Sequence, residues 1–359
     1  MRILIDATPL LLRSAGVKNY TYYWIQSLWE QAGNDRISTL PALARLGPLN
    51  HEGSITGAAR TYLHLGRVFA ANRVPALPLL RWTMPAADVF HVSNQIRFPP
   101  KGRKLTATIY DMTCRLMPEL HTAANIQADE SLAKNVLARA DRLIAISENS
   151  RQDAARLLGL DAGRIEVIYP GVPEVYFGAQ ARPSEKPYVL YLGTIEPRKN
   201  VDTLLDAWQS FRLRHDFDLI VAGASGWAGE KTLARLGAKP NGVRYLGYVP
   251  EDELPGLTAG ATAFVYPSLY EGFGLPVAQA MAAGVPVITS NTSCLPEVAG
   301  RGALLVDPHS AAEIQGAMEK VLESPSLQQE LRTAGVARAR SEYRWKVCGR
   351  KSLEFFHRA

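Results

Sequence analysis

From about Pro187 onward, short β-branched runs alternate with helical patterns: strands at 188–192, 218–222, 243–246, 262–266 and 285–289, with helices at 201–211 and after Pro276. The runs are almost continuously apolar, as strands are when both faces are covered, and a parallel sheet with crossover helices covers them in that way. The second half therefore reads as a doubly wound α/β domain. The first half repeats this grammar less regularly, with strands at 3–6, 89–92, 106–110 and 142–147 and helices near 19–29 and 151–158. A chain of 359 residues exceeds one ordinary core. The breakers Ile168-Tyr-Pro-Gly-Val-Pro173 put a hinge near 170–173, and a polar stretch follows at 181–187. The fold class expected is α/β, with two Rossmann-like domains at 1–170 and 171–340.

With 47% apolar and 21% charged residues, disorder is excluded as the main state. Cys114, Cys294 and Cys348 lie far apart without a CxxC pair, which gives no disulfide framework and no zinc site. Met1-Arg2 leads directly into an apolar strand too short for a secretory signal, and no run reaches the ~18 apolar residues of a membrane span. A cytoplasmic protein is expected, with the inner face of the membrane left open to it.

The formal charge of +6 is unevenly placed: residues 1–170 carry 20 Lys/Arg against 14 Asp/Glu, whereas 171–359 carry 20 of each. Such a surplus favours an anionic partner or simply a soluble surface. Nucleic acid is not expected, because the arginines are scattered and no basic-aromatic RNA motif or zinc-finger spacing occurs. Residues 56–85 interleave Arg60, Arg67, Arg73 and Arg81 with Tyr62, Leu63, Leu65, Val68, Phe69, Leu77 and Leu79. A basic amphipathic segment of this kind lies on an anionic bilayer, or it is an ordinary half-buried surface helix.

Three segments carry chemistry. Pro267-Ser-Leu-Tyr-Glu-Gly-Phe-Gly-Leu-Pro-Val-Ala-Gln279 follows an apolar strand and opens a helix, with Pro276 in its first turn. Gly272 and Gly274, flanking Phe273, let backbone approach a ligand, and the amides around Gly274 and Leu275 suit a diphosphate at a positive helix end. Glu271 is placed beside that phosphate, and Gln279, a turn into the helix, beside a ribose. Gly193-Thr-Ile-Glu-Pro-Arg-Lys-Asn200 closes another strand, with Arg198 and Lys199 facing the crevice where parallel sheets bind ligands and Asn200 as a helix N-cap. Near the start, Ser14-Ala-Gly-Val-Lys-Asn-Tyr20 puts Gly16 before a helix, an anion site or an ordinary turn. The acidic residues Asp216 and Asp218 flank Phe217, but they enter a buried strand and are rejected as metal ligands.

Together, and in this order, these segments resemble the retaining glycosyltransferases of family four, the group 1 transferases with the GT-B fold. The match is densest from 188 to 308 and includes Ser290-Asn-Thr-Ser-Cys-Leu-Pro-Glu-Val-Ala-Gly300. The resemblance implies two domains facing a cleft, with a C-terminal helix within 341–359 crossing back onto the N-terminal domain. It implies a donor-binding C-terminal domain, with Arg198 and Lys199 on the diphosphate and Glu271 on sugar hydroxyls, and an N-terminal domain that binds the acceptor, with Gly16 closing over the phosphates. It further implies a retaining hexosyl transfer from a GDP-mannose-like or UDP-sugar donor to a glycan or lipid-linked acceptor in cell-surface polysaccharide or glycolipid assembly. No cofactor and no metal are expected. The chain departs from the family pattern twice. Gln279 stands where a second glutamate is usual, and Tyr110-Asp111 where His-Asp is common. These departures motivate the alternative of an inactive nucleotide-binding scaffold. In the active reading Tyr110 donates one hydrogen bond and Asp111 orients the acceptor.

Overall fold

The computed structural model describes residues 1–14, 16–74, 80, 84–100 and 102–359. Its chain divides into two units, residues 1–171 with 345–359, and residues 172–344. Ala15, Leu77, Leu79 and Arg81 of the segments singled out above lie outside the described residues.

The first unit contains β1 (Arg2–Asp6), α1 (Gly16–Gln31), β2 (Arg36–Leu40), α2 (Ala58–Arg73), β3 (Val89–Val92) and β4 (Lys104–Ile109). It continues with α3 (Thr113–Leu116), α4 (Ala123–Leu132), β5 (Arg142–Ala145), α5 (Glu148–Leu158) and β6 (Ile165–Val167). Its strands form one parallel sheet in the order β2-β1-β3-β4-β5-β6. Helix caps follow local chemistry: Ser147 accepts from the Ser150 amide at 3.0 Å to start α5, and Gly159 ends it in the left-handed region at φ 65°.

The second unit comprises β7 (Tyr188–Leu192), α6 (Val201–Arg212), β8 (Asp218–Ala222), α7 (Glu230–Gly237), β9 (Val243–Gly247), α8 (Leu254–Ala259) and β10 (Ala263–Tyr266). There follow α9 (Leu275–Ala282), β11 (Val287–Ser290), α10 (Leu295–Ala299), β12 (Ala303–Val306), α11 (Ala311–Glu323) and α12 (Pro325–Glu342). The sheet is again parallel, in the order β12-β11-β10-β7-β8-β9. Its central strands β7, β8, β10 and β11 are buried almost throughout, which is why they read as continuous apolar runs.

The last helix, α13 (Trp345–Arg358), belongs to the first unit. Its buried residues Trp345, Cys348, Gly349, Ser352, Phe355 and Phe356 follow a helical period, so one stripe faces inward. That stripe packs on α1: Trp24 Nε1 donates to Ser352 Oγ at 2.9 Å, Ser27 Oγ donates to the Trp345 carbonyl at 2.7 Å, and Tyr23 stacks on Trp345 with centroids 5.9 Å apart. The helix Trp345–Arg358 lies within the expected 341–359, and α12 continues to Glu342 before it. Among the described residues no helix is long and apolar enough to cross a membrane.

Three strands escape the sequence pattern. β2 is half-exposed at its start, β6 is three residues long, and β12 is partly exposed. Each lies on or near a sheet edge, where the continuous apolar signal fades.

Candidate functional site

In the second sheet the strand order reverses between β7 and β10, which are direct neighbours. In open parallel sheets the loops leaving two such strands diverge to opposite faces and leave a crevice at their carboxyl ends. The loop after β7 contains Arg198 and Lys199, and the loop after β10 contains Glu271 to Leu275. Residues some 70 apart in sequence therefore meet because their strands are paired.

The loops are stitched together by backbone and hydroxyl bonds. The Leu269 amide donates to the Arg198 carbonyl at 2.9 Å, and Ser268 Oγ lies 3.1 Å from the same carbonyl. Glu271 is the hub. It is 6% exposed, and its Oε1 accepts from Lys199 Nζ at 2.5 Å, Ser268 Oγ at 2.6 Å and Tyr266 Oη at 2.9 Å. Its Oε2 accepts from Arg198 at 3.1 Å, and Arg198 also donates to the Tyr270 carbonyl at 2.6 Å and to Glu196 Oε1 at 2.7 Å. Lys199 additionally donates to Tyr266 Oη at 2.7 Å and lies 5.3 Å from the centre of that ring.

Burial works against the Glu271 carboxylate, but the Lys199 and Arg198 charges override it and hold the group at about 2. Burial lowers the Lys199 ammonium, and Glu271 opposes that shift. The pair is charged, with both cations fixed in place by carboxylates. Oε1, with three donors, has no capacity left, so any bond from Glu271 to a sugar hydroxyl falls to Oε2. In this structure Glu271 orients the two cations rather than facing open space.

Gly274 is the N-cap of α9 at φ 83°, a conformation that glycine adopts without strain. The Gly274 and Leu275 amides donate to no described residue, and both point from the start of a helix that contains Gln279. Gln279 is 7% exposed, and its side-chain amide bonds to no described residue. Gly272 and Phe273 lie between Glu271 and this cap, with Phe273 edge-on to Tyr343 at 5.2 Å. Gly193 directly follows β7; its amide donates to the Ala222 carbonyl at 3.0 Å, and its own carbonyl oxygen fills the space a Cβ on Gly223 would need. Asn200 takes the N-cap position of α6, but its side chain makes no cap bond, contrary to expectation. It sits at φ 58° and donates instead to the carbonyls of Pro267 at 3.0 Å and Pro308 at 2.7 Å, bracing the Glu271 loop.

Gly16, Tyr110 and Asp111 belong to the first unit. Gly16 is the first residue of α1, and a Cβ there meets no described atom within 4 Å, so nothing among the described residues demands glycine. Tyr110 packs edge-on to Tyr20 at 5.4 Å, and burial pushes its hydroxyl above the usual range. Asp111 Oδ1 accepts from the Thr113 amide at 3.0 Å and Thr113 Oγ1 at 2.6 Å, which starts α3. Asp216 pairs with Lys186 at 3.1 Å and with Arg212 at 2.9 Å, and Asp218 opens β8 opposite Arg244 at 3.7 Å.

Sequence reasoning missed Tyr266, Glu196, Ser268 and Ser293 as members of the cluster. Ser293 Oγ accepts the Glu271 amide at 3.1 Å, and Tyr266 stacks on Tyr191 at 5.8 Å. The available signal was a hydroxyl-bearing aromatic at the carboxyl end of a buried strand, directly before Pro267.

A Rossmann strand order with paired cations, a positive-φ glycine and a helix start at the switch point makes this the candidate anion site of an α/β fold. Residues 174–338 match the family described as Glycosyl transferases group 1, and residues 61–176 match Glycosyltransferase Family 4. The O-antigen chain mannosyltransferase B of Escherichia coli is 33% identical over 282 residues, covering 75% of this chain and 74% of that one. This chain belongs to the group 1 family, and it is a glycosyltransferase. Two solved structures share the fold. Sucrose-phosphate synthase from Thermosynechococcus elongatus has a TM-score of 0.74 at 18% identity, covering 100% of this chain and 98% of that one. Anabaena HepE in complex with UDP and glucose has 0.72 at 17%, covering both chains fully.

Proposed function

We propose that this protein is a retaining hexosyltransferase that moves a mannosyl unit from a nucleoside-diphosphate sugar to a glycan or lipid-linked acceptor of a cell-surface polysaccharide, on the cytoplasmic side of the membrane. The observation that carries this reading is the Arg198–Lys199–Glu271 cluster at the switch point of the second sheet. Breaking the sugar–phosphate bond develops negative charge on the departing diphosphate. Arg198, Lys199 and the Gly274 and Leu275 amides at the positive end of α9 are the groups that stabilise it. With two fixed cations in this role, the transfer needs no metal. Gln279 accepts from a ribose hydroxyl. The acceptor hydroxyl attacks the anomeric carbon on the face the diphosphate leaves and passes its proton to the departing diphosphate oxygen, so the anomeric configuration is kept, with Asp111 orienting the acceptor and Tyr110 donating one hydrogen bond to it. The mannosyl assignment draws on the name of the Escherichia coli relative, and the cellular location on the character of such acceptors.

The test is thermal stabilisation by GDP, UDP, ADP and dTDP, each with and without EDTA, followed by turnover of the matching sugar nucleotide. A ligand at 100 times its Kd adds ~2.7 kcal/mol. Stabilisation by one nucleotide, unchanged by EDTA, is expected. No stabilisation by any of the four overturns the donor assignment and favours an inactive scaffold.

A further inference from the structure

The first unit has an apolar ridge that its own core does not use. α2 buries Thr61, His64, Val68 and Ala71 along one stripe. On its other side Tyr62, Leu63 and Phe69 are 74%, 57% and 63% exposed, and Val74 extends the ridge just past the helix end. One exposed apolar side chain is ordinary, but three large ones within two turns form a patch that calls for a partner. The charge around it has one sign. Arg60, Arg67 and Arg73 lie on the same helix, with Arg73 5.2 Å from the Phe69 ring centre, and residues 53–87 contain no Asp or Glu. The asymmetry extends to the whole unit: residues 1–171 with 345–359 contain 24 Lys/Arg against 15 Asp/Glu, whereas residues 172–344 contain 16 against 19.

We propose that the outer face of α2 docks on an anionic lipid bilayer, with Tyr62, Leu63 and Phe69 entering the headgroup boundary and Arg60, Arg67 and Arg73 meeting the anionic headgroups. The charge selects this occupant. A second copy related by a two-fold axis would bring like-charged helices face to face, whereas an anionic surface complements both the ridge and its rim. Arginine and tyrosine suit such a boundary because each joins an apolar body to a polar tip. On the inner side of the same helix, His64 Nε2 lies 2.9 Å from Thr8 Oγ1, and Thr8 bonds Asp6 at the carboxyl end of β1. The strand order of the first sheet reverses between β1 and β3, so docking through α2 holds that sheet's own switch point one helix thickness from the bilayer. That last consequence, delivery of a lipid-linked acceptor, rests on the function proposed above; the docking itself does not.

The experiment is co-sedimentation of the full chain with vesicles of phosphatidylcholine alone and of phosphatidylcholine mixed with phosphatidylglycerol. Binding is expected only to the anionic vesicles and should weaken with salt. An arginine near a charged membrane surface contributes about fivefold in affinity, so the triple variant Arg60→Gln, Arg67→Gln, Arg73→Gln should lose ~100-fold. Tyr62→Ser with Phe69→Ser should also abolish binding while leaving the melting temperature and transfer to a water-soluble acceptor unchanged. Wild-type-like binding by both variants, equal binding to neutral vesicles, or a solution dimer that dissociates on the Tyr62 and Phe69 substitutions each overturns the proposal. Vesicle binding that persists in a protein unable to turn over any sugar nucleotide overturns the transferase reading and leaves the docking in place.

Discussion

Glu271→Gln separates the charge of the hub from its shape. Glutamine keeps an oxygen for Ser268, Tyr266 and Lys199, but it removes the negative charge that holds two partly buried cations and turns an amide donor toward Arg198 where Oε2 accepted. The carboxyl is held at about 2 against an ordinary 4.5, an interval worth about 3 kcal/mol to the folded state at neutral pH. A buried ion pair that loses one partner typically costs 3–5 kcal/mol, about the same size, because the remaining charges are uncompensated. For a unit of this length, about 3 kcal/mol corresponds to a fall of roughly 6–12 °C in melting temperature. The pH dependence has a definite sign. The folded-state value lies below the unfolded one, so the stabilisation is complete above about 4.5 and disappears as the pH falls toward about 2. Urea denaturation of wild type and variant at pH 7, and at a series of values below 4.5, should show a gap that is largest at pH 7 and shrinks on acidification. A gap below about 1 kcal/mol at pH 7, or one that widens in acid, would refute the assignment of Glu271 as the anchor of Arg198 and Lys199.

Arg198→Ala and Lys199→Ala should each lower turnover by ~10²- to 10³-fold, the loss of one charge-stabilising donor, and initial rates near wild type in both would remove them from the diphosphate. Gln279→Glu should tighten nucleotide binding, since a carboxylate is a stronger acceptor for a ribose hydroxyl; calorimetry showing equal or weaker affinity would end the ribose role. Gly223→Ala should destabilise the second unit by about 3 kcal/mol or more, because Gly223 lies at φ 150° and a Cβ there overlaps the Gly193 carbonyl oxygen. A melt unchanged within about 1 °C would show that β7 and β8 can separate at their carboxyl ends without cost.

The parts legible in the sequence share a physical cause. β7, β8, β10 and β11 are buried on both faces, and burial on both faces writes itself into the chain as an apolar run. β2, with Arg36 and Ser38 among its five residues, pays for its place at a sheet edge with polar side chains, so its pattern is that of a loop. The site divides in the same way. Arg198, Lys199 and Glu271 were recognisable by type and by position after apolar strands, and the pairing of β7 with β10 is what brings their loops together. What each does there was not legible, because it depends on which hydrogen bonds close. Glu271 is expected on a sugar hydroxyl, and what the sequence does not reveal is that Ser268, Tyr266 and Lys199 take up one of its two oxygens. Lys18 makes the point from the other side. It lies in the 14–20 segment, for which an anion site and an ordinary turn both stand open, and it is fully buried and donates to the carbonyls of Leu12, Asn50 and Gly53. Three backbone acceptors some 6 to 35 residues away use the donors a phosphate would need. A basic residue beside a glycine turn can therefore serve an anion only where it still reaches the surface: Lys18 is fully enclosed, whereas Arg198 and Lys199, held by Glu196 and Glu271, remain partly exposed.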